Sequence, residues 1–108
     1  MNETTPLGAE DARSFAGWFK ALADPTRIQL LHLLACADRP MSVGEVVERA
    51  AVGQSTVSHH LKILAEARFV LADRQGTSTF YEVNRNCLTV FPDAVRAILN
   101  QKGTGGEC

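Results

Sequence analysis

Between positions 53 and 70 the chain, GQSTVSHHLKILAEARFV, reads as one amphipathic helix, and four of its side chains could do chemistry together. At about 100° per residue, Ser55, Ser58, His59 and Lys62 share one arc of a helix, while Val57, Leu61 and Leu64 share the opposite one. Hydroxyls, an imidazole and an ammonium are hydrogen-bonding tips of different reach. On the first turns of a helix they suit the phosphates and base edges of a DNA major groove. Gln54 and Thr56 belong to the same leading turn, and Arg74 lies further on where a loop arginine could meet a phosphate or a minor groove. The other reactive groups are three thiols, Cys36, Cys87 and Cys108. Catalysis finds no support: there is no Ser/His/Asp arrangement, carboxylate pair or phosphate-binding glycine loop, and His32, His59 and His60 have no evident metal-site companions.

Length and charge set the frame for these groups. A chain of 108 residues with 45% apolar content makes one domain with a modest core, for which a second copy sharing that core is a reasonable expectation. A net charge of -1 argues against a basic coat for nonspecific nucleic-acid binding. Charge is nevertheless uneven: positions 51–85 carry Lys62, Arg68, Arg74 and Arg85 against Glu66, Asp73 and Glu82. No apolar run of about 18 residues and no signal-peptide pattern occurs, so the expectation is a cytoplasmic protein without a membrane partner. Three widely spaced cysteines in a reducing compartment do not make a disulfide framework.

The elements that must position these side chains follow from periodicity and punctuation. Positions 1–8 read as a mobile arm, 9–101 as the folded domain and 102–108 as a flexible glycine-rich tail ending in a thiol. Ala12, Phe15, Phe19 and Leu22 recur at helical spacing over 9–22, with Trp18 adding aromatic surface. Asp24-Pro25 predicts a cap and first residue for a second helix running to Ala37, apolar nearly all round and therefore central. Ser42 and Glu45 have the spacing of a capping box, opening a short helix to Ala50 whose inward residues are Val43, Val46, Val47 and Ala50. A short helix, the turn at 51–53 and the longer helix from Gly53 make a helix-turn-helix. After Ala67 the period drops to two: strands at 69–72 and 77–83 flank a turn at 73–76, a β-hairpin wing with Arg74 at its tip. In the last helix Leu88, Phe91, Val95, Ile98 and Leu99 form an apolar stripe. Asn86 or Thr89 could cap it, and Pro92 requires a start near Thr89 or a kink. The fold class is thus mainly α with a small β-hairpin, a winged helix-turn-helix. Phe15, Trp18, Phe19, Phe91, Val95 and Ile98 are more apolar surface than a small monomer should expose, and predict a dimer interface.

Taken together, these motifs resemble the ArsR/SmtB-type family of small dimeric winged-helix repressors that sense metals and metalloids. Phe19-Lys20-Ala21-Leu22-Ala23-Asp24-Pro25-Thr26-Arg27 resembles that family's approach to its second helix, Ser42-Val43-Gly44-Glu45-Val46 its third, and Gln54 through Leu64 its recognition helix. Arg74-Gln75-Gly76 with Phe80-Tyr81 resembles its wing, so the likeness spans roughly positions 15–83. The resemblance implies that Gln54, Ser55, Ser58 and His59 meet double-stranded operator DNA, that the site is an inverted repeat, and that the first and last helices build a homodimer. Thr56, Lys62 and Arg74 join the DNA set on their chemistry, whereas His60 is expected to be a structural histidine packed at the wing.

The family's ligand sites transfer less directly. Its Cys-x-Cys pair on the third helix has no counterpart in 41–46, and its last-helix Asp/His set meets a helix without histidine, so zinc, nickel or cobalt sensing there is not expected. What remains is sulfur. DNA binding needs no cofactor, but three thiolates, Cys36, Cys87 and Cys108, suit a soft inducer accepting trigonal coordination: As(III) first, then Hg(II), Cd(II) or Pb(II). Against this stands a reading in which Cys36 is a small core hydrophobe, Cys87 is incidental and Cys108 a free tail. Two alternatives keep the fold. One is a thiol-redox-sensing repressor, and the other a winged-helix protein-interaction module that does not bind DNA.

Overall fold

A computed structural model describes residues 6–100, with 87–89 as backbone only. The order is α1 (Ala9–Ala21), α2 (Pro25–Ala37), β1 (Met41–Ser42), α3 (Val43–Arg49), α4 (Gln54–Glu66), β2 (Val70–Gln75), β3 (Ser78–Val83) and α5 (Cys87–Ile98). Residues 1–5 of the N-terminal arm and the glycine-rich tail, Cys108 included, lie outside the described residues. No described helix is long and apolar enough to cross a membrane.

Two of the helices, α2 and α3, start where a side chain satisfies their orphan N–H groups. Asp24 Oδ1 accepts from the N–H of Thr26 at 2.8 Å and of Arg27 at 3.2 Å, with Pro25 at the first helical position of α2. Ser42 Oγ accepts from Glu45 N–H at 3.2 Å while Glu45 Oε1 accepts from Ser42 N–H at 3.0 Å, a closed capping box on α3. Asp38 ends α2 in the left-handed region, at φ 55°. Around these helices the core closes on Leu30 and Leu34 of α2, Val46 of α3, and Val57, Leu61 and Leu64 of α4, all within 2% of complete burial.

Four sequence expectations change in the folded chain. The recognition helix does not run on to Val70. It ends at Glu66, because Arg68 takes a left-handed φ of 69° and the N–H groups of Phe69 and Arg68 return to Leu64 O (2.9 Å) and Ala65 O (3.0 Å). That double bond pattern is a Schellman motif, which turns the chain sharply and drops Phe69 into the core. Secondly, the wing is longer and its turn tighter than expected. β2 and β3 pair from Val70↔Val83 to Gln75↔Ser78, leaving only Gly76-Thr77 in the turn, with Gly76 at φ 64°. Arg74 therefore sits within a strand opposite Thr79 and not at the tip.

Thirdly, the hairpin is part of a three-stranded antiparallel sheet of order β1-β3-β2, in which Met41 pairs with Tyr81 and Ser42 with Phe80. Two residues carry too little pattern to announce a strand. Finally, of the two caps left open for the last helix the structure takes Asn86, so α5 begins at Cys87 and not near Thr89, and Pro92 is its sixth residue. The proline costs the helix one backbone bond, which docking of buried Ala94 and half-buried Phe91 outweighs.

The caps also give the fold a pH dependence. The N–H of Arg27, then that of Thr26, holds the Asp24 carboxyl below its ordinary value, and the N–H of Ser42, then the Arg39 guanidinium, does the same for Glu45. A carboxyl whose folded pKa is depressed contributes stability that is present above its unfolded pKa and lost as pH falls through the folded one. Thermal unfolding should therefore show a falling melting temperature as pH drops below about 4.5. An Asp24→Asn/Glu45→Gln variant should fall less steeply over the same range, and parallel curves would show that the caps are not the source.

Candidate nucleic-acid interface

Burial of Val57, Leu61 and Leu64 fixes the rotation of α4, and the opposite arc is left open to water. Gln54, Ser55, Thr56, His59 and Lys62 are exposed and Ser58 is half-buried. At the start of the helix Gly53 takes the cap position and provides no side-chain acceptor, so the leading N–H groups remain available beside Ser55 and Thr56. Together with β1, α3 and the wing, α4 encloses a polar groove of about 460 Å³ whose lining includes Ser42, Gln54, Ser58, Lys62, Arg74 and Thr79. The groove thus unites helix and wing residues in one surface of hydrogen-bonding groups and two cations. Arg74 reaches it from the strand, with Nε donating to Gly76 O at 3.1 Å.

His60 does not pack at the wing as expected. Its Nδ1 lies 3.1 Å from Nη1 of Arg27, and since a guanidinium can only donate, that ring nitrogen accepts. The same guanidinium donates to Ala21 O through Nε at 2.6 Å and to Lys20 O through Nη2 at 3.3 Å. Arg27 thereby joins the end of α1, the start of α2 and the recognition helix, a role that sequence spacing did not disclose. The His59 and His60 ring centroids are 5.4 Å apart, so the tie lies immediately behind an exposed side chain of the polar arc.

At the other end of the molecule, α1 and α5 meet through aromatic rings. Phe19 and Phe91 pack edge-on at 5.1 Å, Phe91 and Phe69 at 5.6 Å, and Phe15 and Trp18 tilt together at 5.4 Å. Trp18 and Phe91 lie against the chain's own core, and Phe15 and Val95 are half-buried. Phe19 and Ile98 stay exposed, in company with Leu99 and with Val90, which the apolar stripe did not include.

The thiols are less gathered. Cys36 is exposed and is not a core hydrophobe, and its Sγ lies 3.4 Å from Nε2 of His32, one turn earlier on α2. An imidazole therefore does accompany a cysteine, contrary to the expectation for His32. A spacing of four on a helix could have signalled it. Cys87 opens α5. Among the described residues no group of three or more His, Cys, Asp or Glu side chains comes together. Arg85, just before α5, bonds Asp38 Oδ1 at 2.9 Å and Ala35 O at 3.4 Å, tying that segment to the end of α2.

Comparison with known proteins agrees with this arrangement. The profile for bacterial regulatory proteins of the arsR family matches residues 24–71, from the cap of α2 to the start of β2. The arsenical resistance operon repressor of Bacillus subtilis is 32% identical over 109 residues, covering 100% of both chains. The chain belongs to the arsR family. The transcriptional repressor SdpR of the same bacterium is 37% identical over 82 residues, 76% of this chain and 86% of that one. Among solved structures, the homodimeric winged helix-turn-helix DNA-binding domain of Mb0332 from Mycobacterium bovis superposes with a TM-score of 0.70 at 24% identity, covering 100% of this chain and 98% of its own. As an arsR-family protein the chain is a regulator and not an enzyme.

The sequence expectation for this surface divides into base-edge and phosphate contacts. Ser55→Ala or His59→Ala should each cost roughly 1–3 kcal/mol on the specific operator and little on unrelated DNA. Arg74→Ala should weaken both alike and reduce the slope of log K against log salt by about 1. Fluorescence anisotropy over a salt series separates these outcomes, and an S55A/H59A protein that binds its operator like wild type would remove both residues from the interface.

Proposed function

We propose that the chain is a homodimeric transcriptional repressor that binds an inverted-repeat operator and is released by a thiophilic ion held by cysteine. The observation that carries the DNA half is the single polar surface formed by the exposed arc of α4 and the wing. Gln54, Ser55, Thr56, Ser58 and His59 meet bases and nearby phosphates, while Lys62 and Arg74 hold the backbone. An apolar or acidic face would suit a protein-interaction module, and this face is neither. The dimer half rests on Phe19 of α1, Val90 and Ile98 of α5 and Leu99 at the end of that last helix, exposed apolar side chains that a second copy would cover. Phe15, Trp18, Phe91 and Val95 support that layer from behind, and the homodimeric state of the Mb0332 domain accords with it.

The inducer reading draws on the donor set and on the arsenical relative. A ligand moves a repressor off DNA only through its different affinity for two conformations, so its site must bridge elements that shift relative to one another. Cys36 ends α2 and Cys87 opens α5, next to a segment that Arg85 already ties to α2. Cys108 would add a third thiolate from the tail. Such a set takes As(III) in preference to a borderline ion.

Two measurements test the proposal. Sedimentation at micromolar concentration should give a dimer, and a stable monomer there would contradict the two-half-site arrangement. In operator-bound anisotropy with a thiol buffer, arsenite should release the protein, Hg(II) should act similarly, and Zn(II) should do so poorly. Cys87→Ser or Cys108→Ser should block release without weakening binding in the absence of the ion, and an all-serine protein released as readily as wild type would sink the cysteine sensor.

A further inference from the structure

The pair formed by His32 and Cys36 has a geometry of its own. Both side chains are exposed on the outer surface of α2, one helical turn apart, and Nε2 points at Sγ across 3.4 Å. Tetrahedral zinc holds sulfur at about 2.3 Å and imidazole nitrogen at about 2.0–2.1 Å, which at the tetrahedral angle puts the two donors roughly 3.5 Å apart. The observed separation, held by a thiol–imidazole hydrogen bond, matches that edge closely enough for both donors to meet one ion without a change of rotamer. A linear two-coordinate ion with bonds of this size would need the donors about 4.4 Å apart, and As(III) has little use for an imidazole. Arg85, which lines a cavity together with His32, is engaged by Asp38 Oδ1 at 2.9 Å, so its charge is paired.

We infer that His32 and Cys36 form a chelate for a tetrahedral borderline cation such as Zn(II), with solvent filling the remaining positions. Binding converts the thiol to a thiolate and passes its proton to solvent, and the imidazole coordinates through Nε2 with its proton on Nδ1. Both donors ride on one rigid helix turn. The site therefore bridges nothing that moves, carries no differential affinity for the two states of a repressor, and leaves operator binding unchanged. It shares Cys36 with the inducer set but does not depend on that set being real.

Titration of the full chain with Co(II) reads the site directly, since a tetrahedral thiolate site gives intense visible ligand-field bands and a thiolate charge-transfer band in the near ultraviolet. Wild type should develop both at one Co(II) per chain, and Zn(II) should bleach them. Cys36→Ser should abolish the charge-transfer band, and His32→Ala should weaken binding by at least about tenfold. Cys87→Ser/Cys108→Ser should retain the bands, whatever that variant does in the arsenite experiment. If His32→Ala titrates like wild type, or if the Cys87/Cys108 double variant loses the bands, the chelate is refuted. Because both side chains are exposed, circular dichroism of the two single variants should match wild type and separate loss of ligand from loss of fold.

Discussion

The structure depends on the seam where α4 packs against α2. Leu30 and Leu34 on one side and Val57, Leu61 and Leu64 on the other are all nearly or completely buried, each worth about 1.5–3 kcal/mol against exposure. Surface hydrogen bonds and ion pairs contribute a few tenths to about 1 kcal/mol each, so no arrangement of the polar arc could rotate α4 out of this seam. The face that α4 leaves open to a partner is therefore determined by the residues on its reverse. Ser55, His59 and Lys62 are exposed because Val57, Leu61 and Leu64 cannot be.

Two further ties hold that face in place. Pairing of Met41 and Ser42 with Tyr81 and Phe80 fastens the wing to the start of α3, so groove residues from β1, α4 and the hairpin keep a fixed separation. Arg27 does the equivalent at the other end, spending its donors on two α1 carbonyls and on His60. A change in how α1 sits, as at a dimer interface, has a short physical route to the recognition helix through that one guanidinium. The aromatic contacts Phe19–Phe91 and Phe69–Phe91 give α5 a similar route into the core beside the Schellman turn.

On the sensing side, the exposed Cys36 changes what the chain can bind. A thiol with an imidazole 3.4 Å away is a mixed sulfur and nitrogen donor, whereas the proposed three-thiolate set would draw its ligands from distant parts of the chain. The first is local and rigid, the second spans elements. Only a site of the second kind could couple an ion to DNA release, so under the proposed function an ion's affinity and its power to induce need not run in parallel.

The amino-acid sequence by itself determined the features whose signals fit within a turn or a period. Asp24-Pro25 capped α2, Ser42 and Glu45 closed their box on α3, and the alternating arcs of α4 sorted themselves into core and polar face, as read. Those signals, in that order, also carried the family resemblance. Tertiary structure decided what required partners far apart in the chain or a choice between near-equal local states. Strand β1 exists because Tyr81 lies beside Met41, forty residues away. Arg68, with no glycine to mark it, adopts a left-handed conformation because burying Phe69 outweighs the local strain, and this ended α4 early. The wing's turn moved to Gly76-Thr77 because Val70↔Val83 set the register from the core outward. His60 turned towards Arg27 for the same reason: a half-buried imidazole takes the nearest strong donor, and which donor is nearest is a property of the packed helices alone.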